Sequence, residues 1–202
     1  MEKLPGSFEN KAISKGMTFF LITFLFLIFE FIPLSMAAEA EIPSEWMVKA
    51  TFLYNFAQFV EWPEDAFKSP DAPLNLCILG KDPFGEAITA IKDKFVRRRP
   101  LLIRYCKDTR EVEGCHILFI SKPKEGDGVC PLPELKKKPW LTVSDAKGFA
   151  ADGGMIRLFR MGKKIRFEIN PAAAKRSCLK ISSRLLKLAK IVKETPAKEE
   201  EP

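Results

Sequence analysis

Residues Leu74 to Gly80 (LNLCILG) form an almost unbroken apolar run that stops at a turn residue. A run that short and that apolar has the pattern of a β-strand covered on both faces. Three more follow: PLLIRYC from 100 to 106, CHILFIS from 115 to 121 and WLTVSD from 140 to 145. The segments between them are long enough for crossovers, so the strands are predicted to lie parallel, with helices on the faces of the sheet. GGMIRLFRMGKKIRFEIN (153 to 170) reads differently. Its runs 155 to 160 and 164 to 169 flank a tight turn, Met161 to Lys163, with Gly162 inside it, which is an antiparallel hairpin that should add an edge to the sheet.

Helices are expected around this sheet. Phe52, Phe56, Phe59 and Val60, widened by Leu53 and Ala57, fall at helical spacing in a segment from about 45 to 61. Ser44 can cap it, Glu45 suits its positive end, and Pro63 forbids Trp62 the helical region. Thr51, Asn55 and Gln58 leave only a narrow polar strip, so this is a core helix. Asp82 and Pro83 should cap and open a helix through about Ile91, as Asn170 and Pro171 should open another. Leu185, Leu186, Leu188, Ala189 and Val192 give the stripe of a final helix begun by Ser182 or Ser183, with Lys187, Lys190 and Lys193 near its negative end. The fold class is therefore α/β: one domain over 44–192, a mainly parallel sheet flanked by helices, a C-terminal antiparallel hairpin and a final helix. With 202 residues, 47% hydrophobic and 29% charged, the chain suits one such core and excludes fibrous, coiled-coil and low-complexity classes. Residues 193–202 form a charged, proline-bearing tail expected to be disordered.

The uncharged tract Met17 to Phe29 follows Lys3, Lys11 and Lys15. Its roughly 13 residues suit the apolar part of an export signal and fall short of the ~20 needed to span a bilayer. Small residues allow cleavage after Ala37 or Ala40, making residues 1–37 a signal peptide and placing the remainder in the periplasm. The alternative is an uncleaved inner-membrane anchor, because Phe31, Ile32 and Leu34 continue the tract beyond Glu30. Removing 1–37 takes away three Lys and three acidic residues, so the formal charge of +7 stays with the exported part. In an oxidising compartment Cys77, Cys106, Cys115, Cys130 and Cys178 can pair, and at least one of five must remain unpaired. Without a C-x-x-C, and with His116 as the only histidine, no structural zinc site is expected.

Six segments together resemble the YfiR family of exported bacterial proteins: VKATFLYNFAQFVEWP (48–63), LNLCILGKDPFG (74–85), GCHILFIS (114–121), LTVSDAKGFA (141–150), GGMIRLFRMGKKIRFEIN (153–170) and LKISSRLLKLAKIV (179–192). The resemblance implies a non-enzymatic α/β domain that represses an inner-membrane diguanylate cyclase by binding its periplasmic part, thereby lowering cyclic di-GMP output. A histidine kinase is the other membrane partner it suggests, and a homodimer is also compatible with it. It further implies Cys77 and Cys115 as disulfide candidates, with Cys106 as competitor for either. A Cys77–Cys115 bridge would close a loop of about 39 residues, worth about 3 to 4 kcal/mol by chain entropy. Family members often carry Gly where this chain has Cys178, and in a left-handed backbone Cys costs ~1 kcal/mol or more relative to Gly.

Catalytic residues are not expected. A hydrolytic triad would have to use His116, which heads a core strand, and no Gly-x-Ser-x-Gly turn exists. GKDPFG (80–85) could cradle an anion on its amides but lacks the G-x-G-x-x-G spacing and a Walker lysine. Asp82 and Gly85 there, and Asp145 at the carboxyl end of another predicted strand, are the candidate ligand-loop residues, since open α/β sheets bind ligands at that edge. They carry the alternative reading of a periplasmic small-molecule-binding domain or enzyme. Asp145, Asp152 and Glu168 are not placed together by their spacing. Arg97 to Arg99 and Lys136 to Lys138 read as solvated loop charge, or as attraction to anionic lipid head groups or an acidic partner face. No aromatics interleave them, so nucleic acid is not an expected partner. Trp46, Trp62 and Trp140 read as core residues first and interface anchors second. No cofactor is implied.

Overall fold

Ser44 opens the first helix as expected, its hydroxyl accepting from the Met47 amide at 3.2 Å. In this computed structural model, which describes residues 44–121 and 138–195, α1 (Glu45–Phe59) buries Ala50, Leu53, Phe56 and Ala57 and turns Thr51 and Asn55 to solvent. The export tract with its cleavage sites, Cys130, Lys136, Lys137 and the tail beyond Thr195 lie outside the described residues. Those described belong to one compact unit.

Helix α1 is shorter than its sequence suggests. Val60 leaves it in extended conformation, and β1 (Val60–Glu61) pairs antiparallel with β9 (Lys180–Ile181) in a separate two-stranded sheet. Val60 is β-branched and fully buried there. Pairing with Ile181 satisfies its backbone while its side chain stays in the core, which a further helical turn would not do.

The main sheet has eight strands: β2 (Leu74–Leu79), β3 (Phe95–Val96), β4 (Arg99–Cys106), β5 (Ile117–Ile120), β6 (Leu141–Ser144), β7 (Ile156–Met161), β8 (Lys164–Ile169) and β10 (Lys190–Ile191). Their order is β10-β8-β7-β6-β5-β2-β4-β3. The run β4-β2-β5-β6-β7 is parallel throughout, as expected, and β7–β8 is the predicted hairpin. β10 lies parallel to β8 and makes the border that the hairpin was expected to supply.

The two faces are covered unequally. Leu76 and Ile78 of β2, Ile117 and Phe119 of β5, and Leu141 and Val143 of β6 form one continuous core with α1, α2 (Pro171–Arg176) and α3 (Ser183–Leu188). The alternate residues Cys77, Leu79, Leu118 and Ile120 form a second cluster with Cys106, Val112, Cys115 and Phe149. Among the described residues the helices cover the first of these faces, and the link from β5 to β6 over residues 122–137 lies outside them. The link from β4 to β5 holds only a 3-10 turn, Thr109–Glu111, and the predicted helix at 82–91 is a 3-10 helix, Gly85–Ala90. Asp82 accepts from the amides of Phe84 and Gly85 ahead of it, but the N-cap is Phe84 and Gly85 takes φ +51, which interrupts an α-helical start.

The last helix also ends early. Ser182 caps α3, its hydroxyl accepting from Leu185 N–H at 3.3 Å, yet the chain becomes extended at Ala189. Leu188 is 72% exposed, so further helix would bury little. Joining β8 instead lets Val192 N–H donate to Ile169 O at 2.8 Å and Lys190 Nζ reach Glu168 at 2.9 Å. Beyond it, Thr195 N–H donates to Ala151 O.

Asn170 opens α2, accepting from Ala173 N–H at 3.1 Å. At the other end Cys178 has φ +56. Leu179 N–H donates to Ala174 O and Cys178 N–H to Lys175 O, which is the Schellman ending that favours glycine at this position. The expected cost of Cys at this site is therefore present. Cys178 is exposed, so Cys178→Gly should stabilise the protein by about 1 kcal/mol. A urea midpoint that falls or stays put would contradict this.

Candidate functional site: an aromatic and arginine groove, and a buried cysteine cluster

After β1 the chain passes Trp62, Pro63 and the 3-10 turn Glu64–Ala66 to reach Phe67. Phe67 stacks on the His116 imidazole, with centroids 4.3 Å apart and planes 13° from parallel. The Arg99 guanidinium lies 3.7 Å from the Phe67 ring centroid. Arg99 also donates to the carbonyls of Ser69 (3.0 Å) and Ala72 (2.7 Å), so it clamps the loop ahead of β2 and is not the solvated charge its sequence neighbourhood suggests. Arg97 and Arg98 are exposed, and Arg97 stands 3.9 Å from Glu61. Together with Lys68 they rim a groove of about 730 Å³ whose floor includes Ala57, Val60, Trp62 and Leu74. Trp62 Nε1–H donates to His116 O at 3.2 Å, leaving an apolar wall beside the rim cations.

His116 is a structural residue. With its proton on Nε2 it donates to Ala66 O (3.1 Å), and Nδ1 accepts from Asn75 N–H (3.0 Å). Burial lowers its pKa from the ordinary 6.5; the bond to Ala66 opposes this and the charge of Arg99 adds to it. The unfolded chain then binds the proton near pH 6.5 and the folded one only lower. The contribution is complete above about pH 6.5 and is lost as pH falls from there through the folded pKa. Urea midpoints should decline over that window in the parent and less steeply in His116→Gln. Parallel declines would show that another group is responsible.

The carboxyl-edge candidates are each held by the fold. Asp82 accepts from the amides of Phe84 (2.8 Å) and Gly85 (3.3 Å). Asp145 accepts from Lys49 Nζ at 2.9 Å, and Lys49, only 3% exposed, also binds Glu45 at 2.8 Å and lies 4.0 Å from the Trp46 ring centroid. Glu168 binds Arg157 (3.1 Å) and Lys190 (2.9 Å). Burial pushes the Glu168 carboxyl up, but hydrogen bonds from Lys190 and Arg157 outweigh it and the net shift is downward. Asp145 and Glu168 thus serve different ion pairs. The Glu45/Lys49 spacing of four residues was a readable helical pair; nothing local indicated Asp145 as its third member.

On the face opposite α1, Cys77 and Cys115 form a disulfide, with Cα atoms 5.9 Å apart. Cys106 is a free thiol, 2% exposed. It faces Leu79 in the β2–β4 ladder, two residues along from Cys77. The three sulfurs lie within 4.8 Å of one another. Cys106 Sγ–H donates to Glu111 O at 3.5 Å. Burial raises its pKa, Arg104 opposes this, and Glu111 and Asp108 reinforce it.

Among the described residues no helix is long and apolar enough to cross a membrane. A search of curated proteins finds no match. The YfiR/HmsC-like family model matches residues 47–190, from the first turn of α1 to the start of β10. That span takes in the parallel sheet, the hairpin, the bridged cysteines and the left-handed Cys178, and the chain belongs to the YfiR/HmsC-like family.

Proposed function

We propose that the protein is an exported, non-enzymatic regulator that binds the periplasmic part of an inner-membrane signalling protein, in the first instance a diguanylate cyclase, and holds it inactive. Family membership carries this reading. His116 is bonded within the fold on both nitrogens, Asp82 to two amides, Asp145 to Lys49 and Glu168 to Arg157 and Lys190. The groove beside Trp62 offers an apolar floor with cations at its rim, a composition suited to a partner segment with acidic flanks. The regulator would act by binding one state of its partner better than the other. Residues 1–37 would deliver it to the periplasm, or anchor it there if uncleaved.

Mild crosslinking in intact cells followed by affinity recovery should bring down an integral membrane signalling protein, and loss of the gene should raise cyclic di-GMP. Recovery without such a protein, together with unchanged cyclic di-GMP, would end the proposal. A histidine kinase in place of the cyclase would keep the regulatory reading and change the partner.

A further inference from the structure

We propose that Cys77, Cys106 and Cys115 form an internal disulfide relay in which Cys106 exchanges with Cys115 for the bond to Cys77. The Cys106 sulfur attacks Cys77 Sγ; the Cys77–Cys115 bond breaks as the Cys77–Cys106 bond forms. The proton lost by Cys106 ends on Cys115, so one disulfide and one thiol are present before and after, and no external oxidant or reductant is consumed.

Three observations carry this. The three sulfurs are within 4.8 Å of one another, whereas a free buried cysteine ordinarily sits among carbon atoms as a small apolar residue. Cys77 is the central member, since β2 lies between β4, which carries Cys106, and β5, which Cys115 precedes. Both exchanging cysteines lie at strand ends, Cys106 still paired with Leu79. Cys106 is the last residue of β4, whose other neighbour β3 pairs only with Arg99 and Pro100. Cys115 sits ahead of β5 in a turn closed by its N–H donating to Val112 O, next to Gly114 at φ +76. The attacking sulfur can therefore shift toward Cys77 and the leaving one can withdraw without breaking the β2–β5 ladder.

The same surroundings set the rate. Buried and donating to Glu111 O, Cys106 stays protonated at neutral pH, and only the thiolate attacks. Exchange should be slow at pH 7 and quicken by about tenfold per pH unit while the thiol remains mostly protonated. This chemistry belongs to the folded domain and does not depend on the regulatory role.

The test is peptide mapping without reduction. The oxidised protein is held at pH 7 or 8.5, quenched in acid, alkylated and digested. A Cys77–Cys106 peptide should appear beside Cys77–Cys115, with alkylated Cys115 in matching amount, faster at the higher pH, and Cys106→Ser should abolish both new species. Alkylation confined to Cys106, with Cys77 bonded only to Cys115, would overturn the relay. In Cys115→Ser the bond should form between Cys77 and Cys106, and melting should stay close to the parent's. Finding both cysteines alkylated there, or Cys77 bonded to Cys130 or Cys178, counts against it. Should that variant not fold, the mapping of the parent decides by itself.

Discussion

Replacing Phe56 by alanine is expected to lower the unfolding free energy by about 3 to 5 kcal/mol, the range for emptying a fully buried phenylalanine site. Phe56 has no exposed surface. Its ring meets Phe52 at 5.7 Å and Phe167 of β8 at 5.2 Å, so it ties α1 to the antiparallel end of the sheet. The position offers little room for collapse. Phe52 and Phe167 already touch each other at 5.5 Å, and both α1 and the sheet are held by contacts beyond this trio. Urea denaturation of parent and variant with equal slopes measures the difference. A loss under about 1 kcal/mol would mean that α1 is not the main cover of its face of the sheet.

The second large effect is expected at Cys77. Cys77→Ala removes the member shared by both bonds of the relay and should cost about 3 to 4 kcal/mol by chain entropy, the figure for a closed loop of about 39 residues. Among the described residues the face it staples is covered by turns and the Phe149 ring. Cys115→Ser should be much milder, because a Cys77–Cys106 bond closes a loop of about 30 residues and forfeits only a few tenths of a kcal/mol. Thermal melts of the two variants under oxidising conditions separate these outcomes. Equal losses would show that Cys106 gives no substitute, and no loss at Cys77 would show that the bridge does not govern stability.

What the sequence disclosed follows from how far each signal reaches. The central strands were legible because LNLCILG, CHILFIS and WLTVSD are apolar whatever their neighbours do. The side chains of Ser44, Asp82, Asn170 and Ser182 act within three residues, and all four accept the backbone hydrogen bonds expected of them. Element ends set by distant partners were not legible. Val60 leaves α1 for a strand some 120 residues later, and Lys190 leaves the expected helix for a neighbour 22 residues earlier. The stack of Arg99, Phe67 and His116 draws on three separate segments, so the arginine cluster looked merely solvated. The bridged cysteines and the left-handed Cys178 were reached through family resemblance, and spacing alone would have left both open.

The two residues of β10 matter beyond the bonds they make. With them gone, the outer backbone groups of Glu168 and Ile169 would be left for any passing extended chain. A protein shortened after Leu188 could thus keep its core and still self-associate. Solubility at working concentration, and not melting temperature, is the property that this short terminal piece protects.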